Sequence, residues 1–265
     1  MTGADRPVLA GVDSTTGSLG AARWAADEAV RWHRPLEVIH VGQIPDAAPA
    51  ERAEVEIRRW QPSLRVSAHT LRGAPADRLI ERSAHASLIV VGGQDALGLH
   101  APPSDSVGDR LAAGAHCPVL VVHEAARWAG PAPLPDDRPV LVGMDGSDQD
   151  GPALDLGFAE AAARGVTLVA VRVGRAPGHH TGPAGDATRA VRLELEPWEA
   201  RYRAVRVEAR AVDGPPAPML VEAAGGAAMV VLGPSGRGEP GDRRLGSVTR
   251  QVLDHAPAAV LVAGG

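Results

Sequence analysis

The segment Arg6–Ser18 reads RPVLAGVDSTTGS, and Arg138–Gly151 repeats it 132 residues later as RPVLVGMDGSDQDG. In each copy a short aliphatic run ends at an aspartate, Asp13 or Asp145, and small polar residues follow it. This pattern is typical of a buried strand that leads into a helix. A repeat of this kind predicts that one structural unit occurs twice.

Further segments repeat at a larger offset of 141 residues. ASLIVVGGQD, Ala86–Asp95, corresponds to AAMVVLGPSG, Ala227–Gly236, and SVGDRLAAGAHCPVLVV from Ser106 corresponds to SVTRQVLDHAPAAVLVA from Ser247. The change in offset places about nine additional residues in the middle of the second copy.

The segment between the copies, AARWAGPAPLPDD, is rich in proline and has no periodic apolar pattern. Such a composition is typical of a linker. We therefore predict an N-terminal domain at residues 1–126, a linker at 127–137 and a C-terminal domain at 138–265.

Short apolar runs alternate with helical patterns in both copies, which predicts parallel sheets covered by helices on both faces. The predicted fold class is α/β, with two tandem doubly wound five-stranded domains of the Rossmann-like or flavodoxin-like type. The predicted strands are Val8–Val12, Leu36–Val41, Arg65–Leu71, Leu88–Val91 and Val119–Val122, then Val140–Met144, Leu168–Val173, Val205–Val212, Met229–Leu232 and Ala259–Ala263.

Composition excludes several classes of protein. The net charge of −5 and the pI near 6.1 provide no overall field for nucleic acid or for an acidic membrane surface. Apolar runs of about five residues are too short to span a bilayer. The single cysteine, Cys117, excludes an internal disulfide, and MTGADRP does not resemble a signal peptide, so we expect a cytoplasmic protein. We expect Cys117 to be a buried, inert thiol.

The chain contains no lysine, which excludes a Walker P-loop and the lysine-dependent site of protein kinases. No general base with an orienting partner stands near the glycine-rich segment described next. We therefore predict no catalytic residues, and any slow ATP hydrolysis would be incidental. His179-His180 lacks a suitably spaced third ligand, so no metal site is predicted.

GPSGRGEPGDRRLGS, Gly233–Ser247, lies between the fourth predicted strand of the second copy and a helix. Asp145 ends the first strand of that copy. If the strand order reverses between these two strands, Asp145 and the loop meet at the site where such sheets bind ligands. Aspartate at this position alternatively caps the following helix through Ser147, or through Ser14 beside Asp13.

Glycines in this loop would let the backbone approach an anion and adopt positive φ, with amides pointing inward. The helix that opens at Gly246 and Ser247 would add free N–H groups and a hydroxyl. Arg237, Arg243 and Arg244 against two acidic residues leave the loop at +1. The loop is therefore predicted to bind phosphate groups.

The spacing Gly-x2-Gly-x9-Gly-Ser resembles the ATP-binding motif of the universal stress protein family, and PVLVGMDGS resembles the first strand of that family. The resemblance covers both copies and is similar to the tandem-domain form, with an adenine nucleotide alpha hydrolase-like fold. It implies ATP as the ligand, with Mg²⁺ as a candidate companion. It also implies that an aspartate contacts the adenosine part, that the second strand lines the adenine pocket and that the glycine loop holds the phosphates. The implied nucleotide-binding residues are Asp145, Val173, Gly233, Gly236, Gly246 and Ser247, with Val248 beside the motif serine. The positive charge of the loop adds Arg237 to this set.

The first copy departs from this motif. Asp95 and Asp105 replace Gly236 and Gly246, and the loop from Gly92 to Ser106 carries −2. Two carboxylates near phosphate groups would repel them. We therefore predict that the first copy binds ATP weakly or not at all, although it keeps Asp13.

The resemblance implies a nucleotide-sensing regulator in stress adaptation. The alternatives are a nucleotide-free protein-interaction module and a weak ATPase. The expected partner is an adenine nucleotide. Members of the family pair through their last strands, so Val119–Val122 would pair with Ala259–Ala263 within the chain, or each would pair with a second chain in a homodimer.

Overall fold

A computed structural model of the chain describes residues 6–93, 106–123, 137–147, 150–174, 184–236 and 245–264. The chain separates into two compact units, one of residues 1–129 and 264–265 and the other of residues 130–263. Each unit holds one copy of the repeat. Of the predicted linker at 127–137, only residue 137 belongs to the described part.

The N-terminal unit alternates five strands with four described helices. Its sheet is parallel throughout and has the order β3-β2-β1-β4-β5. The elements are β1 (Val8–Val12), α1 (Thr16–Arg31), β2 (Leu36–Gly42), α2 (Ala48–Trp60), β3 (Val66–Arg72), α3 (Pro75–Ser83), β4 (Leu88–Gly92), α4 (Val107–Gly114) and β5 (Val119–Val122).

The C-terminal unit repeats this topology with the order β8-β7-β6-β9-β10, again parallel. All ten predicted strands are confirmed to within two residues at either end. The elements are β6 (Val140–Met144), α5 (Asp150–Arg164), β7 (Leu168–Gly174), α6 (Ala184–Arg201), β8 (Val207–Asp213), α7 (Pro216–Ala224), β9 (Met229–Leu232), α8 (Ser247–His255) and β10 (Ala259–Val262).

The strand order reverses between the first and fourth strands of each unit. Val8 pairs with Leu88 in the first unit, and Val140 pairs with Met229 in the second. The fourth and fifth strands of each unit, β4, β5, β9 and β10, are almost entirely buried because helices cover both faces of the sheet. Each unit therefore has the switch point that the sequence predicts, at the carboxyl ends of its first and fourth strands.

The first helix packs on the first strand differently in the two units. In the C-terminal unit, an added Cβ on Gly157 of α5 would lie 2.3 Å from Val142 Cγ2. The 132-residue offset pairs these positions with Ala25 and Ala10, both fully buried. One unit thus packs valine against glycine where the other has two alanines.

Cys117 is buried, as predicted, and is 5% exposed. Burial raises the pKa of its thiol to about 12, although the charge of Arg6 and a backbone hydrogen bond from Ile89 oppose the rise. At pH 8 such a shift from 9.0 lowers the thiolate fraction about 1000-fold.

We expect iodoacetamide to alkylate Cys117 of the native protein about 100- to 1000-fold more slowly than Cys117 of the denatured chain, because only the thiolate attacks and its higher nucleophilicity at a raised pKa offsets only part of its scarcity. Mass spectrometry over time measures both rates. Similar rates in the two states would contradict a buried thiol of raised pKa.

Candidate functional site

Asp145 and the glycine loop meet at the switch point of the C-terminal unit. Asp145 follows β6, and its Oδ1 accepts a hydrogen bond of 2.9 Å from the backbone N–H of Ser147. Its other oxygen, Oδ2, lies against Gly236, since a Cβ on that glycine would come within 2.6 Å of it. The carboxylate therefore braces its own turn with one oxygen and faces the glycine loop with the other.

The turn after β6 is held by a second carboxylate that the sequence analysis missed. Asp150, the first residue of α5, accepts hydrogen bonds from the N–H groups of Asp145 at 3.2 Å and Gly146 at 2.9 Å. Gly146 has φ of +78°, a conformation that glycine adopts without a steric penalty. Because Asp150 occupies these two amides, this turn presents the Asp145 carboxylate and offers neither amide to an anion.

Burial raises the pKa of Asp150, and the charge of Asp145 adds to the rise. The hydrogen bonds from Gly146 and Asp145 and the charge of Arg172 oppose it. A raised pKa means that the folded protein keeps a proton that the unfolded chain has released. The contribution of Asp150 to stability therefore falls as the pH rises from the ordinary carboxyl pKa through the raised one.

We expect Asp150→Ser, which introduces the residue of the first copy, Ser18, to remove this pH dependence. Relative to wild type, the variant should gain free energy of unfolding as the pH rises from about 4 to 7. Denaturant unfolding at several pH values measures the difference. A difference that stays constant with pH would show that Asp150 titrates alike in both states.

The two described ends of the glycine loop lie close together. The N–H of Gly246 donates to the carbonyl of Pro234 at 2.8 Å. The Thr249 hydroxyl donates to the carbonyl of Gly233 at 2.9 Å. The start of the motif is thus tied to the start of α8. Residues 237–244, which include the predicted Arg237, lie outside the described residues.

The positive φ expected of the motif glycines is wrong at Gly236 and Gly246, the two that bracket the undescribed part of the loop. Gly246 has φ of −61°, and Gly236 is also not in the left-handed region. Lack of room for a side chain explains why glycine stands at both positions. A Cβ on Gly246 would lie 3.2 Å from Ser235 Cα, and a Cβ on Gly236 would meet the Asp145 carboxylate. The glycines permit close packing of backbone and carboxylate, and they do not form a positive-φ nest.

The fourth helices of the two units begin differently. Ser106 is the N-cap of α4, and its hydroxyl accepts a hydrogen bond from the N–H of Asp109, an acidic residue of the first turn. Its counterpart Ser247 is already inside α8, whose N-cap is Gly246 with no side-chain cap and no acidic residue in the first turn. Within the described residues, the N-terminal amide groups of α8 therefore have no side-chain acceptor, whereas Ser106 supplies one to α4.

The remaining predicted residues lie around the same edge. Val173 is half-buried at the end of β7, one residue beyond Arg172, which pairs with Met144 in register. It therefore stands beside the turn that holds Asp145. Val248 is half-buried in the first turn of α8, and Ser247 is exposed.

Asp13, in the N-terminal unit, stabilises the turn that follows β1. Its Oδ1 accepts hydrogen bonds from the N–H of Thr15 at 2.8 Å and from the Thr15 hydroxyl at 2.5 Å. Thr15 in turn caps α1 through the N–H of Ser18. The capping role considered for Asp13 is thus present, but it runs through Thr15 and not through Ser14.

Comparison with known proteins matches two stretches of the chain, residues 6–123 and 138–264, to the model of the universal stress protein family. The chain belongs to this family. A universal stress protein of Mycolicibacterium smegmatis is 33% identical over 287 residues, which cover 96% of each chain. Universal stress protein Rv2005c of Mycobacterium tuberculosis is 31% identical over 288 residues, covering 97% of this chain and 96% of the relative.

Solved structures of the universal stress protein family share the fold. The crystal structure of a universal stress protein from Archaeoglobus fulgidus superposes with a TM-score of 0.70 at 17% identity, over 97% of this chain and 96% of that one. A family structure from Pseudomonas aeruginosa also has a TM-score of 0.70, at 18% identity, over 98% of this chain and 93% of that one. The two copies are therefore tandem universal stress protein domains.

Within the described ranges, no cluster of three or more histidine, cysteine, aspartate or glutamate side chains is arranged to hold a metal ion. His179-His180 lies outside those ranges. Among the helices that the structure describes, none is long and apolar enough to cross a membrane.

Proposed function

We propose that this universal stress protein is an adenine-nucleotide-sensing regulator in stress adaptation, and that its C-terminal unit binds ATP. The observation that carries the proposal is the start of α8. Among the described residues no side chain caps its N-terminus, and that N-terminus is tied to the glycine loop that contacts Asp145. A helix N-terminus beside closely packed glycines suits phosphate groups.

The arrangement of these residues also implies how the nucleotide would be oriented in the site. The phosphates would lie at Gly233, Gly236, Gly246 and Ser247, with Arg237 and Val248 beside them. Asp145 would accept hydrogen bonds from ribose hydroxyls, because a carboxylate is an acceptor only. Val173 would line the adenine pocket. Mg²⁺ would accompany the triphosphate as a counter-charge. No residue is assigned a catalytic role, so the protein would act through its occupancy.

Preference for the C-terminal unit rests on the contrast between the two units. In the N-terminal unit, Ser106 and Asp109 already supply α4 with an acceptor and a negative charge. A phosphate that bound there would have to displace the Ser106 hydroxyl from the N–H of Asp109 and approach the Asp109 carboxylate. The acidic residues Asp95 and Asp105 of the first loop, which lie outside the described residues, add to this repulsion.

The test is to purify the protein without added nucleotide, denature it and identify any released nucleotide by mass, then to titrate the protein with ATP. Asp145→Ala and Asp13→Ala form a matched pair, since each removes a carboxylate that accepts a bond from the following turn. We expect about one ATP per chain, lost in Asp145→Ala and kept in Asp13→Ala.

Two ATP molecules per chain would refute the preference for the C-terminal unit. No released nucleotide and no titration would refute nucleotide binding and favour a protein-interaction module. Pairing through the last strands, within the chain or in a homodimer, stays a prediction, and molar mass from light scattering distinguishes one chain from two.

A further inference from the structure

Asp150 is bonded at three points to the turn that carries Asp145. Its carboxylate accepts hydrogen bonds from two backbone N–H groups, at Oδ1 from Asp145 at 3.2 Å and at Oδ2 from Gly146 at 2.9 Å. Its own backbone N–H donates to the carbonyl of Ser147 at 3.1 Å. The N–H of Ser147 donates in turn to Oδ1 of Asp145 at 2.9 Å. Asp150 therefore holds the backbone of Asp145 directly, and it holds the residue that binds the Asp145 carboxylate.

The side-chain bonds of Asp150 run in the opposite direction to ordinary helix capping. A capping side chain accepts N–H groups of the helical turn that follows it, as Thr15 accepts the N–H of Ser18 at the start of α1. Asp150 is the first residue of α5, and it accepts N–H groups that lie four and five residues before it. Its carboxylate therefore stabilises the turn that precedes the helix.

The corresponding turn of the N-terminal unit is held in a different way. The 132-residue offset pairs Asp150 with Ser18, whose hydroxyl donates to the carbonyls of Asp13 and Thr15, each at 3.0 Å. The side chain after the turn thus binds backbone carbonyls in one unit and backbone amides in the other. The unit in which it binds amides is also the unit whose glycine motif is intact.

We propose that Asp150 is a positioning residue for nucleotide binding, which fixes the turn in the form that directs the Asp145 carboxylate toward Gly236, where it accepts the ribose hydroxyls. This inference rests on the proposed function, because it assumes that Asp145 accepts hydrogen bonds from the ribose. A hydrogen bond weakens steeply when donor and acceptor are misaligned. A relaxed turn should therefore lose the ribose bonds and keep the phosphate contacts of the glycine loop.

Calorimetric titration of the full chain with ATP and with 2′,3′-dideoxy-ATP tests the inference. We expect wild type to bind ATP at least about tenfold more tightly than the dideoxynucleotide. In Asp150→Asn this ratio should fall below about threefold through weaker ATP binding, while the affinity for dideoxy-ATP changes less than about twofold. Asparagine has nearly the same size as aspartate, but it presents an NH2 group, a donor, to one of the two backbone amides.

Asp150→Ser is the second variant, and we expect it to lower the ratio in the same way. Serine stands at this position in the first copy, where the hydroxyl of Ser18 holds a folded turn. This variant therefore tests the inference even if Asp150→Asn does not fold.

Asp155→Asn is the matched control, since it makes the same substitution further along α5. Oδ1 of Asp155 accepts a hydrogen bond from Nε1 of Trp198 at 2.8 Å. The control should leave the ratio at its wild-type value. Equal weakening of both nucleotides by the Asp150 variants, or an unchanged ratio, would make Asp150 a structural residue only. If wild type binds ATP without preferring it to dideoxy-ATP, the inference fails and the proposed function survives. If wild type binds neither, both fail.

Discussion

Replacing Gly236 with alanine is expected to weaken ATP binding by about 10- to 100-fold with little loss of stability. The new Cβ would lie 2.6 Å from Asp145 Oδ2, so the carboxylate must turn away. The backbone of Gly236 is not in the left-handed region and accepts alanine without strain. The side chain that moves is the proposed ribose acceptor, so the loss should appear in affinity, measured by calorimetry, and not in the melting temperature.

Gly151→Ala is the control for this substitution. Gly151 stands in the first turn of α5, in the same unit, and an added Cβ there meets nothing within 4 Å. Alanine in a helix is favoured over glycine by up to about 1 kcal/mol, so stability should rise slightly and ATP affinity should stay unchanged. Normal ATP binding by Gly236→Ala would show that the Asp145 carboxylate does not need its observed position.

Gly157→Ala is expected to destabilise the C-terminal unit by about 2–3 kcal/mol, because overpacking a buried contact costs about this much. The new methyl group would lie 2.3 Å from Val142 Cγ2 at the interface of α5 and β6. Both residues belong to rigid secondary structure, so neither moves away easily. Denaturant unfolding of the full chain measures the effect on the transition of this unit.

The double variant Val142→Ala/Gly157→Ala should recover much of this loss, since it recreates the Ala10 and Ala25 pair of the first copy. Val142→Ala alone should also destabilise, by opening a cavity. The two changes should therefore couple by at least about 1 kcal/mol. Simple addition of the two single effects would mean that the valine and the glycine do not share one packing space.

The internal repeat predicts most of this fold, because strand positions recur at fixed offsets and several of the runs, such as Leu88–Val91 and Met229–Leu232, are apolar on consecutive residues. The motif spacing also places Asp145 beside Gly236 correctly, since doubly wound sheets bring the ends of the first and fourth strands together.

Contacts that depend on side-chain direction could not be predicted. The role of the motif glycines depends on where the Asp145 carboxylate points, and α8 begins one residue earlier than α4 relative to the shared serine. The bond between Arg172 and Glu194 joins a strand to a helix across an insertion that the first copy lacks. No repeat or motif spacing carries that information.

The contact of Val142 with Gly157 in one unit, and the two buried alanines at the corresponding positions of the other, also limit genetic exchange between the two halves of the gene. A crossover between the first strand and the first helix would create hybrid domains. One hybrid would place Val142 against Ala25 and overfill the contact, and the other would place Ala10 against Gly157 and leave a void. Exchanges that carry strand and helix together avoid both defects, so the strand and helix are expected to be inherited as one segment.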